Sequence, residues 1–306
     1  MIKASAKTKS VIRDTMADRV FLTINIIIMS LFLLVFLYPL LYIISASFSS
    51  GSALLSGRVY LWPVGFNLEG YKAVFNYRLI LVGFRNSFFY MIVGTAISLA
   101  MTVLAAYPLS RGDLVFKKGV LFFFSFTMFF SGGLIPSFLL VRDLGMRNTV
   151  WAILIPGAMS VWNMLVTRSY FSTSIPGELL EAAQIDGCND FTFFGKVVIP
   201  LSAPIIAVMA LFYAVGRWNS YFSALIYLDN INLYPLQLFL RQVLLMNTID
   251  FSMMPVIDLE DAANRLNLTE LLKYALIVVS SLPVLLIYPF VQKYFVKGVM
   301  LGSLKG

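Results

Sequence analysis

Long uncharged stretches alternate with polar intervals along the chain. The first runs from Val20 to about Ile44 without a charged residue, which exceeds the ~20 residues an apolar helix needs to cross a bilayer. Asn86 to about Tyr107, Gly119 to about Val141, Asn148 to about Thr167, Val197 to about Gly216 and Tyr274 to about Gln292 repeat the pattern. The pattern predicts an all-α integral membrane protein with six transmembrane helices. Ser45-Ala46-Ser47 has the small residues of a signal-peptide cleavage site, but the apolar run before it is too long, so the first stretch is expected to remain as a span. Pro108 is expected to close the second span. The third contains Gly132, Gly133 and Pro136, breakers that a membrane tolerates where neighbouring helices or a cavity satisfy the freed backbone groups.

The polar intervals divide the chain. Residues 1–19 form an N-terminal segment, residues 20–296 the membrane domain and residues 297–306 a short tail. Within the membrane domain lie a polar loop at about 172–198 and a longer one at about 217–273. The longer loop holds Asp229, Asp250, Asp258, Glu260, Asp261 and Glu270, yet Leu233 to Leu245 is apolar enough that part of it is expected to be folded. Basic residues are densest in the N-terminal segment (Lys3, Lys7, Lys9, Arg13, Arg19), after the second span (Arg111, Lys117, Lys118), around the 172–198 loop and in the tail. The positive-inside rule then puts both termini and the 172–198 loop in the cytoplasm.

Composition agrees and removes several function classes. The 306 residues are 59% hydrophobic and 12% charged, against about one quarter charged in a soluble domain. The net charge of +8 lies at the ends of apolar runs, where it sets topology, so nucleic acid is not an expected partner and membrane lipid is. Cys188 is the single cysteine, which excludes an internal disulfide, and the absence of histidine excludes the usual zinc sites and histidine-based catalysis. No ionisable residue falls between the expected span ends, which argues against an ion-coupled transporter. Gly195-Lys196 lacks the upstream glycine and following hydroxyl of a phosphate-cradling loop, so any ATP must be hydrolysed on another chain.

The segment Pro176 to Pro204, PGELLEAAQIDGCNDFTFFGKVVIPLSAP, carries the most specific pattern. Pro176 suits the first turn of a helix, and Glu178 and Glu181 favour its positive end. A helix is predicted from about Ile175 to about Ile185, with a small apolar face and with Gly187 as its stop. A second short segment, Asn189 to Val198, precedes Pro200. Glu181-Ala182-Ala183, Asp186-Gly187 and Ile199 to Pro204 resemble the cytoplasmic signature loop of bacterial ATP-binding-cassette (ABC) importer permeases. Cys188 departs from the alanine usual there, a small residue for a small one.

The resemblance can be narrowed. Arg168, Tyr170 and Phe171 before Ser174-Ile175-Pro176, the run Trp218-Asn219-Ser220-Tyr221, and the tail Gln292 to Gly298 are similar to carbohydrate-uptake permeases related to the maltose system. The closing KGVMLGSLKG, Lys297 to Gly306, looks most like the subgroup for oligosaccharides and polysaccharide fragments. What the resemblance implies is a type I importer permease in a bacterial cytoplasmic membrane, paired with a second permease subunit as a heterodimer. It further implies a pair of ATPase subunits holding ATP and magnesium, and an extracytoplasmic sugar-binding protein that delivers the oligosaccharide. Glu178, Glu181, Ala182, Ala183, Asp186, Gly187 and Pro200 would then couple this chain to the ATPase.

Sugar contact needs aromatic faces beside amide or hydroxyl groups. Trp162 and Asn163 in the fourth span and Trp218, Asn219 and Tyr221 at the end of the fifth are the candidates. Each also has a structural reading, as an interfacial anchor or a bond between helices. Two alternatives stay open: a permease for another solute delivered by a binding protein, and a stand-alone membrane enzyme or assembly factor, for which no convergent catalytic groups are visible.

Overall fold

A computed structural model describes residues 15–246, 267–287 and 289, and all regular structure among them is helical. Helix α1, Met16–Ser47, is opened by a capping box in which Thr15 and Asp18 exchange hydrogen bonds. Its 32 residues span about 48 Å, more than a hydrocarbon core. Every residue from Thr15 to Leu41 is exposed. The helix is held to the rest of the chain at its far end, where Ser45 Oγ donates to the Leu61 carbonyl at 2.6 Å and Ser47 Oγ pairs with Tyr71 OH at 2.8 Å.

Short helices α2, Gly51–Leu55, and α3, Glu69–Asn76, lead to the central helix α4, Arg78–Ser110. One face of α4 is lined by Gly83, Ser87, Gly94, Ser98, Thr102 and Ala106, all small and closely spaced at three to four residues or their multiples. Small residues let another element approach: α12, Ala203–Trp218, packs where Gly94, Ser98 and Thr102 lie, and Leu236 and Phe239 come in over Gly83 and Ser87. The helix that carries the second expected span starts at Arg78, before Asn86. Pro108 lies inside its last turn without ending it, since a lone proline removes one bond and the turn is nearly over.

The third, fourth and fifth expected spans are interrupted. Helices α5, Lys117–Phe129, and α6, Leu134–Asp143, meet at 112°, and Gly133 with φ +83° makes the turn. The expected fourth span is two pieces, α7, Trp151–Leu154, and α8, Val161–Ser174. Pro156 supplies no N–H and Gly157 takes φ +66°, so the helix stops; Ser160 restarts it by accepting from the Asn163 N–H. Helices α9, Gly177–Ile185, α10, Asp190–Phe193, and α11, Ile199–Leu201, precede α12. Between α10 and α11 the backbone widens into a π-turn, Phe194–Val198.

The long loop is folded where it is apolar. After α13, Phe222–Tyr227, helix α14, Leu236–Met246, buries Leu236, Leu238, Phe239 and Val243, partly against α4. Helix α15, Asn267–Ile287, begins before the expected Tyr274 and carries Leu272, Ala275 and Leu276 into the same core as Trp218. Residues 1–14, 247–266, 288 and 290–306 lie outside the described residues, and with them the expected tail and four of the long loop's six acidic residues, Asp250, Asp258, Glu260 and Asp261. By length and composition α1, α4 and α15 can each cross a membrane, and α5–α6 and α10–α12 pass as bent pairs.

Candidate functional site: the signature loop and its supports

Helix α9 begins one residue after Pro176, which stands at the cap with extended backbone, and ends as the glycine foretold. Gly187 has φ +74°; its N–H bonds the Gln184 carbonyl at 3.0 Å and the Cys188 N–H bonds the Ala183 carbonyl at 2.8 Å. This pair of bonds is the Schellman closure of a helix, which needs the left-handed residue. Leu180, Ala183 and Cys188 pack on the cluster that contains Phe171, Phe193 and Val198. The opposite face leaves Glu178, Leu179, Glu181, Ala182, Ile185 and Asp186 exposed, with Ile185 86% exposed.

The chain then bends twice. Asn189 caps α10 by accepting from the Thr192 N–H at 2.8 Å. Pro200 lacks an N–H for the usual bond four residues back, and beside it the Ile199 N–H reaches the Phe194 carbonyl, five residues back. Pro204 repeats the effect, and the helix turns by 77° around Ser202. The signature loop and the α12 axis are thus joined around a corner, not along a straight helix through Pro200.

A second element braces this corner. The Arg111 guanidinium, after α4, bonds Asp190 at 2.6 Å and Asp113, and its side chain is 14% exposed. Held by Arg111, the Asp113 carboxyl is drawn below the ordinary aspartate range. The Tyr107 ring stacks obliquely on Phe194 at 4.9 Å, and Arg168 Nε donates to the Leu109 carbonyl at 2.8 Å. These contacts wall an apolar cleft of about 500 Å³ lined by Leu104, Tyr107, Phe191 and Phe194.

The sugar-contact candidates are not gathered in one place. Trp162 is 64% exposed and Asn163 half-buried at the start of α8. Trp218 has no free face: it is 1% exposed, its Nε1 donates to the Ser280 carbonyl at 2.9 Å and it meets Phe84 and Phe88. Asn219 folds its amide back to the Val215 carbonyl at 2.9 Å. Tyr221 is exposed, with the Arg241 guanidinium 5.8 Å from its ring centre. The start of α8 is level with Tyr213, so the two groups differ by about 9 Å along α12.

One side chain next to an expected span end turns toward its neighbours. Arg217 reads in sequence as the first residue of the long loop, just outside the expected fifth span. It lies in the last turn of α12 and turns inward, donating to the carbonyls of Ile153, Leu154 and Gly157 and to Ser98 Oγ. Its spacing of four from Tyr213, which also faces the fourth span, was the available signal.

Comparison with known proteins places this geometry. No protein-family model matches the chain. Over 276 residues it is 40% identical to the polygalacturonan/rhamnogalacturonan transport system permease protein YtcP of Bacillus subtilis, covering 90% of this chain and 95% of that one. Over 293 residues it is 38% identical to protein LplC of the same organism, covering 96% and 97%. The structure matches that of a bacterial ABC transporter involved in the import of the acidic polysaccharide alginate, with TM-score 0.83, 37% identity and coverage of 92% and 99%. The signature loop, the all-helical architecture and these likenesses together make the chain a multi-pass membrane protein that belongs to the oligosaccharide and polysaccharide permease family of ABC importers.

Proposed function

We propose that this chain is one of two permease subunits carrying fragments of an acidic polysaccharide across a bacterial cytoplasmic membrane, driven by a separate ATPase pair. The observation that carries the reading is helix α9: one face is anchored on the core and the other presents Ile185, Leu179 and two glutamates, all exposed among the described residues. An apolar residue ringed by charge on a short rigid helix suits a cleft on a soluble partner. ATP and magnesium belong to that partner. Six spans, with both termini in the cytoplasm, follow if α7–α8 is counted as the fourth beside α1, α4, α15 and the two bent pairs. The unburied length of α1 supports a second permease as its neighbour, and an extracytoplasmic binding protein delivers the sugar. Uronate-type oligosaccharides are the proposed cargo, because the relatives named for polygalacturonan and alginate handle acidic polymers. Trp162, Asn163, Asn219 and Tyr221 are the proposed contacts, whereas Trp218 serves packing.

The experiment is ATP hydrolysis by the reconstituted complex with its binding protein. Oligouronates should stimulate hydrolysis and neutral oligosaccharides of equal length should not. Stimulation by neutral sugars alone would remove the acidic cargo, and stimulation by a non-sugar solute would move the protein to another substrate class.

A further inference from the structure

Two residues of α12, one helical turn apart, hold the two ends of the break in the fourth span. Tyr213 OH accepts from the Ser160 N–H at 3.2 Å, the residue that opens α8, and shares a 2.6 Å hydrogen bond with Thr102 Oγ1. Arg217 meets the carbonyls of Ile153 and Leu154 that end α7, and that of Gly157 inside the break, while Ser98 accepts a further bond. Ser98 and Thr102 are themselves one turn apart on α4. The result is a two-rung ladder, with α4 on one side, the broken span on the other and α12 between. Carbonyls at a helix end have no partner of their own and carry negative charge, so a cation there is favoured. Among the described residues no carboxylate pairs with Arg217.

We propose that Tyr213 and Arg217 are positioning residues that couple the break at 155–160 to α12, making the break the moving constriction of the sugar path. Helix α12 is the segment that leaves the signature loop around the 77° bend, so its displacement pulls on both ends of the break together. Gly157 and Trp162 are exposed there, at the surface that would open or close. The structure has a ready control for contact at the guanidinium: a methyl group on Gly94 of α4 would lie 3.1 Å from Arg217 Nε and 3.2 Å from its Cδ, so the side chain has to shift by a few tenths of an ångström with its charge intact. The proposal rests on the importer reading.

The test uses the complete importer in vesicles, in a Cys188→Ala background, with Ala158→Cys as the reporter. Its rate of reaction with a small maleimide is compared between the nucleotide-free and the vanadate-trapped state. The rate should change about fivefold or more between states, and by less than about twofold once Arg217→Gln is added. Arg217→Lys should restore part of the change, since a lysine still reaches one carbonyl. If Arg217→Gln does not assemble, Gly94→Ala and Tyr213→Phe replace it, with the same reduced response expected. An undiminished response in assembled variants, or no response at Ala158 in a complex that transports, would overturn the linkage. A parent complex whose ATP hydrolysis responds to no binding-protein-delivered solute would instead overturn the importer reading, and the linkage with it.

Discussion

Arg111 and Asp190, on segments separated by five helices in the chain, meet at 2.6 Å where the end of α4 touches the start of α10. The arginine is mostly buried and Asp190 is 61% exposed, so solvent screens much of the attraction. In a double-mutant cycle with Arg111→Ala and Asp190→Ala, the coupling in the thermal stability of the purified complex should be about 0.5–1 kcal/mol. Additive single changes would mean that the clamp contributes nothing to stability.

Gly187→Val forces a β-branched residue into the left-handed region, at a cost of ~1–2 kcal/mol. The closure of α9 is lost before the membrane core is affected. Membrane content should stay near that of the parent while sugar-stimulated ATP hydrolysis falls at least tenfold, about the loss expected for 1.4 kcal/mol of coupling. Normal stimulation in that variant would separate the loop's geometry from coupling.

Among the described residues Ile185 is left 86% exposed. Ile185→Asp should therefore leave the permease level unchanged and weaken retention of the ATPase by about 2 kcal/mol, the scale of an interface hot spot. Co-purification at a series of ATPase concentrations measures this. Unweakened retention would show that the outward face of α9 is not the docking face.

Trp218 should behave as a core residue. Trp218→Ala removes a filled volume and should cost ~3–5 kcal/mol, so the chain should fail to accumulate; Trp218→Phe loses chiefly the bond to Ser280 and should accumulate and transport. A Trp218→Ala protein that accumulates normally but takes up no sugar would return this residue to the pathway.

Local chemistry explains what was legible beforehand. The limits of α9 followed from Pro176 and Gly187, because each acts through its own backbone, and the folding of Leu236 to Met246 followed from its apolar residues. The break at Pro156–Gly157 was harder to foresee. Hydropathy averages over such a pair, and whether a helix continues past it depends on groups contributed by α12. The inward turn of Arg217 was illegible for a related reason: a charge next to an apolar run reads as a boundary until the carbonyls that receive it are known. Trp218 shows the same limit, since a tryptophan near a helix end can anchor at an interface or pack, and Ser280 decided it from far along the chain.

The interruption between α7 and α8 also bears on how the protein is made. When residues 148–174 leave the ribosome, neither Arg217 nor Tyr213 has been synthesised, so the carbonyls of Ile153, Leu154 and Gly157 lack the guanidinium and the Ser160 N–H lacks the Tyr213 hydroxyl. Unpaired backbone groups are costly in lipid, so this stretch is a poor substrate for release into the bilayer alone. It has to remain beside the insertion machinery, or beside α4, until α12 arrives. Joint insertion of the expected fourth and fifth spans is the consequence to test: a chain truncated before Tyr213 should accumulate in the membrane at a lower level than the full chain.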